Sequence, residues 1–424
     1  MKEKKNILVF AYSDMKLGGI QKILYGYIQY FLERGGKVLW VAPEKPGIDP
    51  GYRKLVNRDT ITICSREQAE NILKELCRTY DATVVILSFR PSEYLKMMGL
   101  ERALREYDVR NYLTVAHYRG PHLFLEENYR GRKRQRSFET AKAFYEGLLQ
   151  NRSIFFCSPK QAEAFEEHYG IPIGDKASFV IPATQLQAGP EEPVIRARFG
   201  RQHIVSVCRF VFPHKGYVLG LIRAYGKLKE KYPALKLTLI GYGEGTAAVE
   251  QEIRRLPPEA RGDVAVIPGV PTEQLPEYFA QADVSVGLAG SANLAAADAL
   301  ITLVARHYCE EAQVYGSYPD CWEKTICEEP GADILPQLER VLNLDEEQYL
   351  AESLATRKAY ENRMLPRLRD ICSDYCVEQV CHMPHSMEQQ LRKMARYAEL
   401  QVRARLLLSR LAKALRMGKP VDSQ

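Results

Sequence analysis

Ile204-Val-Ser-Val-Cys208-Arg209 opens the stretch of sequence that decides the fold, and Leu235-Lys-Leu-Thr-Leu-Ile240-Gly241-Tyr-Gly-Glu-Gly245 closes it. Both apolar runs predict buried β-strands, and Lys215-Gly216 between them opens an amphipathic helix. Each predicted strand is therefore followed by a turn that contains glycine. Turns of this kind, at the carboxyl ends of strands in an open α/β sheet, are where nucleotides bind, with their phosphates near helix N-termini.

Two cations follow the first of these strands. Arg209 and Lys215 lie just past its carboxyl end, where a fixed cation can meet a diphosphate without a metal ion. Gly241 and Gly243 belong to a Gly-x-Gly-x-Gly turn, which is a weak signal alone because many turns use glycine. The combination predicts a diphosphate site; the alternative is an ordinary surface arginine and lysine.

The second half of the chain alternates strands and helices. Its predicted strands are Ile204–Cys208, Leu235–Ile240, Val264–Ile267, Val284–Gly287 and Leu303–Ala305. The composition between Pro182 and Pro193 marks a linker, so a second domain begins near Arg196. Strands separated by helices imply a parallel sheet with helices on both faces.

The first half follows the same pattern, and 424 residues are enough for two domains with separate cores. Its predicted strands are Asn6–Ala11, Lys37–Val41, Ala82–Leu87, Tyr112–Ala116, Ile154–Cys157 and Ser178–Ile181. Gly18 and Gly19 precede the first helix, where the lack of side chains lets a ligand approach backbone N–H groups. A simple tight turn explains this pair almost as well.

Residues 1 to about 370 resemble the retaining group 4 glycosyltransferases, which have the two-domain GT-B fold. The resemblance is carried by the order strand, Arg209, short loop, Lys215-Gly216, helix, strand and Gly-x-Gly turn. It implies an α/β protein with two Rossmann-like, doubly wound parallel-sheet domains that face a cleft. It also implies that Arg209 and Lys215 bind the donor diphosphate and that both glycine loops border the donor cleft.

His117 stands at the end of the predicted strand Tyr112–Ala116. The resemblance implies that this histidine lies close to the reacting sugar. We assign it to positioning and polarisation, not to covalent attack, because the family has no settled universal nucleophile. The alternative is a histidine that only caps the strand by hydrogen bonding.

The paired glutamates that group 4 enzymes usually carry are missing here. The corresponding region reads Val284-Ser-Val-Gly-Leu-Ala-Gly290-Ser291-Ala292-Asn-Leu294-Ala-Ala-Ala-Asp298. By resemblance, the loss removes acceptors for hydroxyl groups of the donor sugar and ribose. Gly290, Ser291 and Ala292 still open an alanine-rich helix, whose N–H groups, hydroxyl and positive end can converge on an anion. Asp298, one turn after Leu294, is a candidate to replace part of the lost function.

A basic segment follows His117. Arg119, Arg132, Lys133 and Arg134 belong to it, and we expect it to form a loop. Runs of like charge are usually solvated surface. Contact with an anionic acceptor or with membrane head groups fits this segment equally well.

The net charge of +6 belongs to the C-terminal tail. Residues 391–419 contain nine Lys/Arg and one acid, a local charge of +8, so the remainder of the chain sums to −2 (6 − 8). From Met387 onward the sequence predicts a long amphipathic helix with leucines on one face. Such a helix packs on protein or lies on an anionic membrane, where each cation contributes roughly 1 kcal/mol. We favour the membrane; no interleaved aromatic motif indicates nucleic acid.

Ten cysteines, several in apolar runs, predict reduced and buried thiols in a cytoplasmic protein. We expect no secretory signal, because Met1-Lys-Glu-Lys-Lys5 leads directly into a strand, and no apolar run is long enough to span a membrane. A further cluster lacks the spacing of a standard zinc site, and we expect no metal there. It consists of Cys372, Cys376, Cys381, His382 and His385.

These patterns predict four segments: an acceptor-side Rossmann-like domain over 1–185, a donor domain over 196–345, helices over 346–385 that cross back to the first domain, and a basic tail over 386–424. The predicted protein is a metal-independent hexosyltransferase without a cofactor, peripheral on the inner face of the plasma membrane. It would transfer a sugar from a nucleotide diphosphate sugar to a hydroxyl of a lipid-linked cell-surface glycan precursor, with retention by resemblance only. The alternative is a catalytically degenerate GT-B protein that binds a partner glycosyltransferase; a sugar-nucleotide epimerase is less favoured, because it needs no basic helix.

Overall fold

The computed structural model forms two compact units, Met1–Ile181 with Ile371–Gln424, and Pro182–Asp370. It describes residues 2–15, 19–42, 46–48, 53, 61–115, 124–156, 159–174, 178–179, 189–326, 329–364 and 383–417.

The first unit is built on a seven-stranded sheet in which every pair of neighbouring strands is parallel, in the order β5-β3-β1-β6-β7-β8-β9. Its strands are β1 Lys4–Ala11, β3 Lys37–Val41, β5 Ile61–Cys64, β6 Asp81–Ser88, β7 Asp108–Val115, β8 Ile154–Phe156 and β9 Ser178–Phe179. Two short strands, β2 Asp14–Met15 and β4 Gly47–Ile48, pair separately. The direction of winding reverses between β1 and β6, which places the switch point of this sheet there.

Helices cover both faces of the first sheet, as the near-continuous apolar strands require. They are α1 Gly19–Glu33, α2 Arg66–Thr79, α3 Pro91–Ala103, α4 Gly131–Gln150 and α5 Pro159–Tyr169, with a 3₁₀ turn, η1, at Leu125–Asn128. In β1, Leu8 and Phe10 face the cluster that contains α1, whereas Ile7 and Val9 face the cluster that contains α2 and α3. Alternate residues of one strand therefore enter two separate cores.

The second unit contains another seven-stranded sheet, in the order β12-β11-β10-β13-β14-β15-β16. Its strands are β10 His203–Val207, β11 Lys236–Ile240, β12 Val264–Ile267, β13 Val284–Gly287, β14 Ile301–Ala305, β15 Gln313–Ser317 and β16 Ala332–Asp333. The first five are parallel, and β15 and β16 add two antiparallel pairs at one edge. The predicted α/β class with two Rossmann-like domains is confirmed, and this antiparallel edge is an addition that the sequence patterns did not indicate.

The helices of the second unit cover both faces of this sheet. They are α6 Glu192–Arg196, α7 Tyr217–Lys231, α8 Thr246–Arg254, α9 Pro258–Arg261, η2 Thr272–Gln274, α10 Leu275–Phe279, α11 Gly290–Ala297, α12 Tyr318–Cys321, η3 Trp322–Ile326, α13 Ile334–Leu342 and α14 Glu346–Met364. Tyr225 of α7 packs with Leu237 on one face, whereas Phe279 of α10 packs with Val205 on the other.

Helix α14 was expected to cross back to the first domain, but the structure places it in the second unit. It packs against α11, α6 and α12. Tyr349 is 1 % exposed and its hydroxyl donates to the Asp283 carbonyl at 3.1 Å, while Glu352 accepts from Arg340 at 2.6 Å. Buried and ion-paired contacts of this kind assign the helix to the second core.

The last helix, α15 His385–Met417, belongs to the first unit and packs on α3, η1 and α4. Its early apolar residues Leu391 and Met394 are buried in the same core as α4 and α5. The predicted amphipathic tail is therefore partly a core helix. Within the described residues, no helix is long and apolar enough to cross a membrane.

Candidate functional site

The switch point of the second sheet lies between β10 and β13, which are paired in parallel while their chain connections lead to opposite sides. At the carboxyl ends of parallel strands around such a point, loops leave an open crevice in which ligands bind. Arg209 and Lys215 follow β10, Gly241 and Gly243 follow β11, and Gly290 follows β13. The structure thus brings the ends of three predicted strands to one edge of the sheet.

The segment that carries the two cations is tied to the glycine turn by backbone hydrogen bonds. Phe210 N–H donates to the Tyr242 carbonyl at 3.0 Å, and Gly245 N–H donates to the Phe210 carbonyl at 2.8 Å. Lys215 N–H donates to the Val211 carbonyl at 2.8 Å, which closes the turn just before α7. Phe210 is fully buried, so it anchors the segment, while Arg209 is exposed and Lys215 is half-buried. Both cations are accessible to a solvent-borne anion.

The glycines after β11 are required by the close approach of backbone to backbone. A Cβ at Gly241 would lie 1.8 Å from the Cys208 carbonyl oxygen, and one at Gly243 would lie 2.4 Å from the Phe210 carbonyl oxygen. No side chain fits at either position, because backbone atoms cannot move aside as a flexible side chain can. The structure shows that these glycines join the β10 and β11 loops, and their place at the donor cleft stays a prediction.

Helix α11 begins at the same edge in an unusual conformation. Ala289, which precedes it, has φ 50° and ψ −130°, a strained region for a residue with a side chain. The Ser291 hydroxyl donates to the Leu288 carbonyl at 2.9 Å, and its oxygen keeps lone pairs that can accept. A Cβ at Gly290 would meet nothing within 4 Å, so space is open there. The first N–H groups of α11, that of buried Ala292 among them, have no partner within the helix and offer donors to an anion.

A stack of aromatic rings borders the lysine turn and was not predicted from the sequence. The His214 ring, adjacent to Lys215, stacks on His307 with centroids 4.9 Å apart and an interplanar angle of 12°. Tyr308 lies 5.0 Å from His214 and donates its N–H to the His214 carbonyl at 3.2 Å. His307 and Tyr308 follow β14, so their position after a strand end was the only signal available in the sequence.

Asp298, proposed to replace part of the glutamate pair, does not belong to this site. It follows the last residue of α11, and α11 runs away from the edge at which it begins. Its carboxylate accepts from Arg198 at 2.7 Å, and the same guanidinium donates to the Asp298 carbonyl at 2.7 Å. The Arg198 side chain is 1 % exposed, and burial raises the pKa of Asp298 to about 6 while Arg198 opposes the rise. This is a buried structural ion pair.

Two side chains close to the carboxyl end of β10, Cys208 and Tyr217, are too buried to act as nucleophiles. Burial raises the pKa of the Cys208 thiol to about 11, and nearby Lys215 only partly offsets this effect. The thiol is therefore neutral and unreactive at physiological pH. Tyr217 is fully buried and its pKa is raised well above the usual value by burial, so it acts as a hydrogen-bonding partner of Ser206, 3.2 Å away.

The remaining candidate residues lie in the first unit or outside the described part. Gly18, His117 and Arg119 fall outside the described residues, whereas Gly19 is the first residue of α1. The predicted basic loop is in fact a helix at Arg132, Lys133 and Arg134, which occupy the first turn of α4 and are exposed. No capping residue precedes this helix, so the local sequence favours a loop there.

No three His, Cys, Asp or Glu side chains come together as metal ligands within the ranges that the structure describes. Of the cysteine and histidine cluster near the C-terminus, only His385 lies inside those ranges, as the first residue of α15. The expectation that this cluster holds no metal stays a prediction.

Comparisons with known proteins agree with this architecture. Residues 191–296 match the family model described as glycosyl transferases group 1. The structure is similar to that of the HepE protein of Anabaena in complex with UDP, with a TM-score of 0.57, 13 % identity, and coverage of 86 % of this chain and 97 % of that chain. The chain has the GT-B fold.

Two other structures with which this GT-B chain shares its fold are WaaG and TarM. WaaG, a glycosyltransferase involved in lipopolysaccharide biosynthesis, gives a TM-score of 0.52 at 16 % identity, covering 87 % of this chain and 100 % of WaaG. TarM gives a TM-score of 0.52 at 10 % identity, covering 92 % of this chain and 98 % of TarM. No curated protein matches the sequence.

Proposed function

We propose that this GT-B protein is a group 4 glycosyltransferase that transfers a hexose from a nucleotide diphosphate sugar to a hydroxyl of a lipid-linked cell-surface glycan precursor, such as one for capsule or exopolysaccharide. The observation that supports the proposal is that Arg209 and Lys215 follow β10, and α11 follows β13, at the switch point where these two strands pair in parallel. Two cations and a helix end are suited to a diphosphate.

In the proposed reaction, the bond between the anomeric carbon and the diphosphate oxygen breaks, and the diphosphate leaves with the bonding electrons. The oxygen of the acceptor hydroxyl forms the new bond to the anomeric carbon, and its proton passes to the departing diphosphate. Arg209 and Lys215 neutralise the developing negative charge, and the N–H groups at Gly290 and Ser291 add hydrogen bonds. This set supplies the compensating charge without a metal ion. His117 positions and polarises the reacting groups, and retention of configuration follows from the resemblance.

The first donor to test is a UDP-sugar. HepE, which shares the fold, was solved in complex with UDP, and WaaG is described as acting in lipopolysaccharide biosynthesis. These are properties of those proteins, and at 13 % and 16 % identity they guide the choice of ligand only. We propose that this protein works in the cytoplasm on the inner face of the plasma membrane, with no role in nucleic-acid binding.

A second candidate function is favoured by one specific observation. The stretch Val284–Ala297 contains no carboxylate, and the carboxylate of Asp298 is paired with Arg198. The loss of the glutamate pair from this stretch fits a catalytically degenerate GT-B partner of another glycosyltransferase. Such a partner protein would be distinguished by a site that binds the sugar nucleotide but does not turn it over.

The test is thermal unfolding of the full chain with UDP, GDP, ADP and CMP and the corresponding sugar nucleotides. A ligand at about 100 times its dissociation constant stabilises the native state by roughly 2.7 kcal/mol, which raises the unfolding temperature measurably. We expect a rise with one nucleotide diphosphate, which Lys215→Ala abolishes. Lys227→Ala is the control, because Lys227 is an exposed lysine further along α7.

The two candidate functions then separate in a second assay. Slow hydrolysis of the stabilising sugar nucleotide in the absence of an acceptor supports the transferase. Stabilisation without hydrolysis supports the degenerate partner, and an unchanged response in Lys215→Ala refutes the diphosphate assignment. Conversion to an epimeric sugar nucleotide supports the epimerase instead.

A further inference from the structure

Helix α15 changes its surroundings along its length. Leu391, Met394 and Ala398 are at most 2 % exposed and pack in the core of the first unit. Leu400 is 62 % exposed and Leu408 is 64 % exposed. The early part of α15 therefore belongs to the core, whereas Leu400, Leu407 and Leu408 further along the helix are in solvent.

The early part of α15 is held by ion pairs on either side of its buried stripe. Glu388 is paired with Arg102 of α3 and also accepts from Arg392 at 2.7 Å. Directly before Leu400, Glu399 pairs with Lys96 at 3.5 Å. The exposed part therefore continues directly from a part of α15 that ion pairs hold against the first unit.

The N-terminal turns of α4 carry an unusual charge. Five cations lie there, all exposed, and none of them forms an ion pair with another described residue. They are Arg130, Arg132, Lys133, Arg134 and Arg136. The first turn contains no acid, although the positive end of the helix dipole favours acids and disfavours cations there. These cations do not stabilise the helix, so their concentration points to a partner.

A ring stack joins the two features. Tyr129, which directly precedes Arg130, stacks on Tyr397 of α15 with centroids 5.0 Å apart and an interplanar angle of 29°. Leu400 lies one turn beyond Tyr397 on the same helix. The first cation at the start of α4 and the first exposed leucine of α15 therefore both lie close to this ring stack on the first unit. We call this set the basic–leucine surface; it comprises Arg130, the four cations Arg132, Lys133, Arg134 and Arg136 of α4, and the leucines Leu400, Leu407 and Leu408.

We propose that the basic–leucine surface docks the protein on an anionic lipid bilayer. The cations would meet lipid phosphates, and the leucines would enter the boundary between head groups and acyl chains. The proposed membrane-binding part of the tail is shorter than the segment 391–419 predicted from the sequence, because Leu391 and Met394 are buried in the protein core. The proposal extends the surface to a second helix. It concerns where the protein sits and holds for either candidate function.

A second copy of the chain is a poorer occupant. The sequence 400–417 contains five Lys/Arg and no acid, so pairing two such helices would oppose like charges. A nucleic acid would match the cations but leave the exposed leucines, 59 % to 64 % exposed, in water. An anionic bilayer is complementary to both parts of the surface.

The experiment measures co-sedimentation of the full chain with vesicles of phosphatidylcholine alone and of phosphatidylcholine mixed equally with phosphatidylglycerol. We expect binding to the anionic vesicles only, and weaker binding at high salt. Replacing Arg132, Lys133 and Arg134 together with glutamine should weaken binding roughly a hundredfold, about fivefold for each cation. Replacing Leu400, Leu407 and Leu408 with glutamine should weaken it at least about tenfold.

The matched control removes the same charge elsewhere. Lys227, Lys236 and Arg254 are exposed cations of the second unit, and their replacement with glutamine should leave vesicle binding unchanged. All six replaced residues of the basic–leucine surface are exposed, so unfolding temperatures should also stay unchanged. Equal binding to both vesicle types, or full binding by the charge variant, overturns the proposal.

Two further readouts address the other occupants and the nucleotide site. A dimer in sedimentation analysis that the leucine variant abolishes, without vesicle binding by the parent protein, assigns the surface to a second copy. Retention on single-stranded RNA without vesicle binding assigns it to nucleic acid. The thermal response to nucleotides should be the same in all variants, so failure of membrane docking leaves the proposed transferase site intact.

Discussion

Replacing Asp298 with alanine should lower the stability of the second unit and leave nucleotide binding unchanged. The carboxylate of Asp298 is the charged partner of Arg198, whose side chain is 1 % exposed. The Nε atom of Arg198 already has no hydrogen-bond partner among the described residues. After the substitution, one hydrogen bond remains for this buried guanidinium, to the carbonyl of residue 298.

Breaking a buried ion pair from one side costs about 3–5 kcal/mol, because the remaining charge is left uncompensated. For a unit of this size, each kcal/mol lowers the unfolding temperature by about 2–4 °C, so a fall of roughly 6–20 °C is expected. Asp298→Asn keeps an oxygen acceptor and should lose less. The control is Glu329→Ala, which breaks an exposed pair with Lys324 and should cost at most about 1 kcal/mol.

The assay is thermal and urea unfolding of each variant, with and without the nucleotide that stabilises the parent protein. The reasoning requires a large loss of stability in Asp298→Ala and an unchanged ligand-induced rise. A loss below about 1 kcal/mol, within the range of an exposed pair, together with a smaller ligand-induced rise, would falsify it. That result would return Asp298 to the donor site.

Two other substitutions test the close packing of a glycine in the second unit and the titration of a buried carboxyl group in the first. Gly241→Ala should destabilise the second unit by about 3 kcal/mol, because its Cβ would lie 1.8 Å from the Cys208 carbonyl oxygen. Gly262→Ala, with nothing within 4 Å, is the control, and equal urea midpoints for the two variants would contradict the packing argument. In the first unit, burial raises the pKa of Glu101 from 4.5 to about 7, so the stability it contributes is complete below pH 4.5 and lost as the pH rises through 7. Glu101→Gln should therefore be more stable than the parent protein by roughly 3 kcal/mol at pH 8 and gain little at pH 4.5; a gain independent of pH would rule out titration of Glu101 as the cause.

The strand framework was predictable because buried parallel strands are short apolar runs between helices. The sequence placed β10, β11 and β13 to within one residue at each end, and their positions follow from local composition. The antiparallel β15 was missed, because its sequence, Gln-Val-Tyr-Gly-Ser, is largely polar and lies near the edge of the sheet. The start of α4 was missed because no capping residue precedes it and its cations oppose the helix dipole, so local rules favour a loop there.

The sequence by itself determined that Arg209, Lys215 and Gly290 follow strand ends, and parallel pairing places such ends on one edge of a sheet. The tertiary structure alone decided the rest. It paired Asp298 with Arg198, which lies a hundred residues away in the chain. It brought His307 against His214 and divided α15 into a buried and an exposed part. These outcomes depend on which side chains meet across the fold and which lose contact with water, and neither property is encoded in the local spacing of residues.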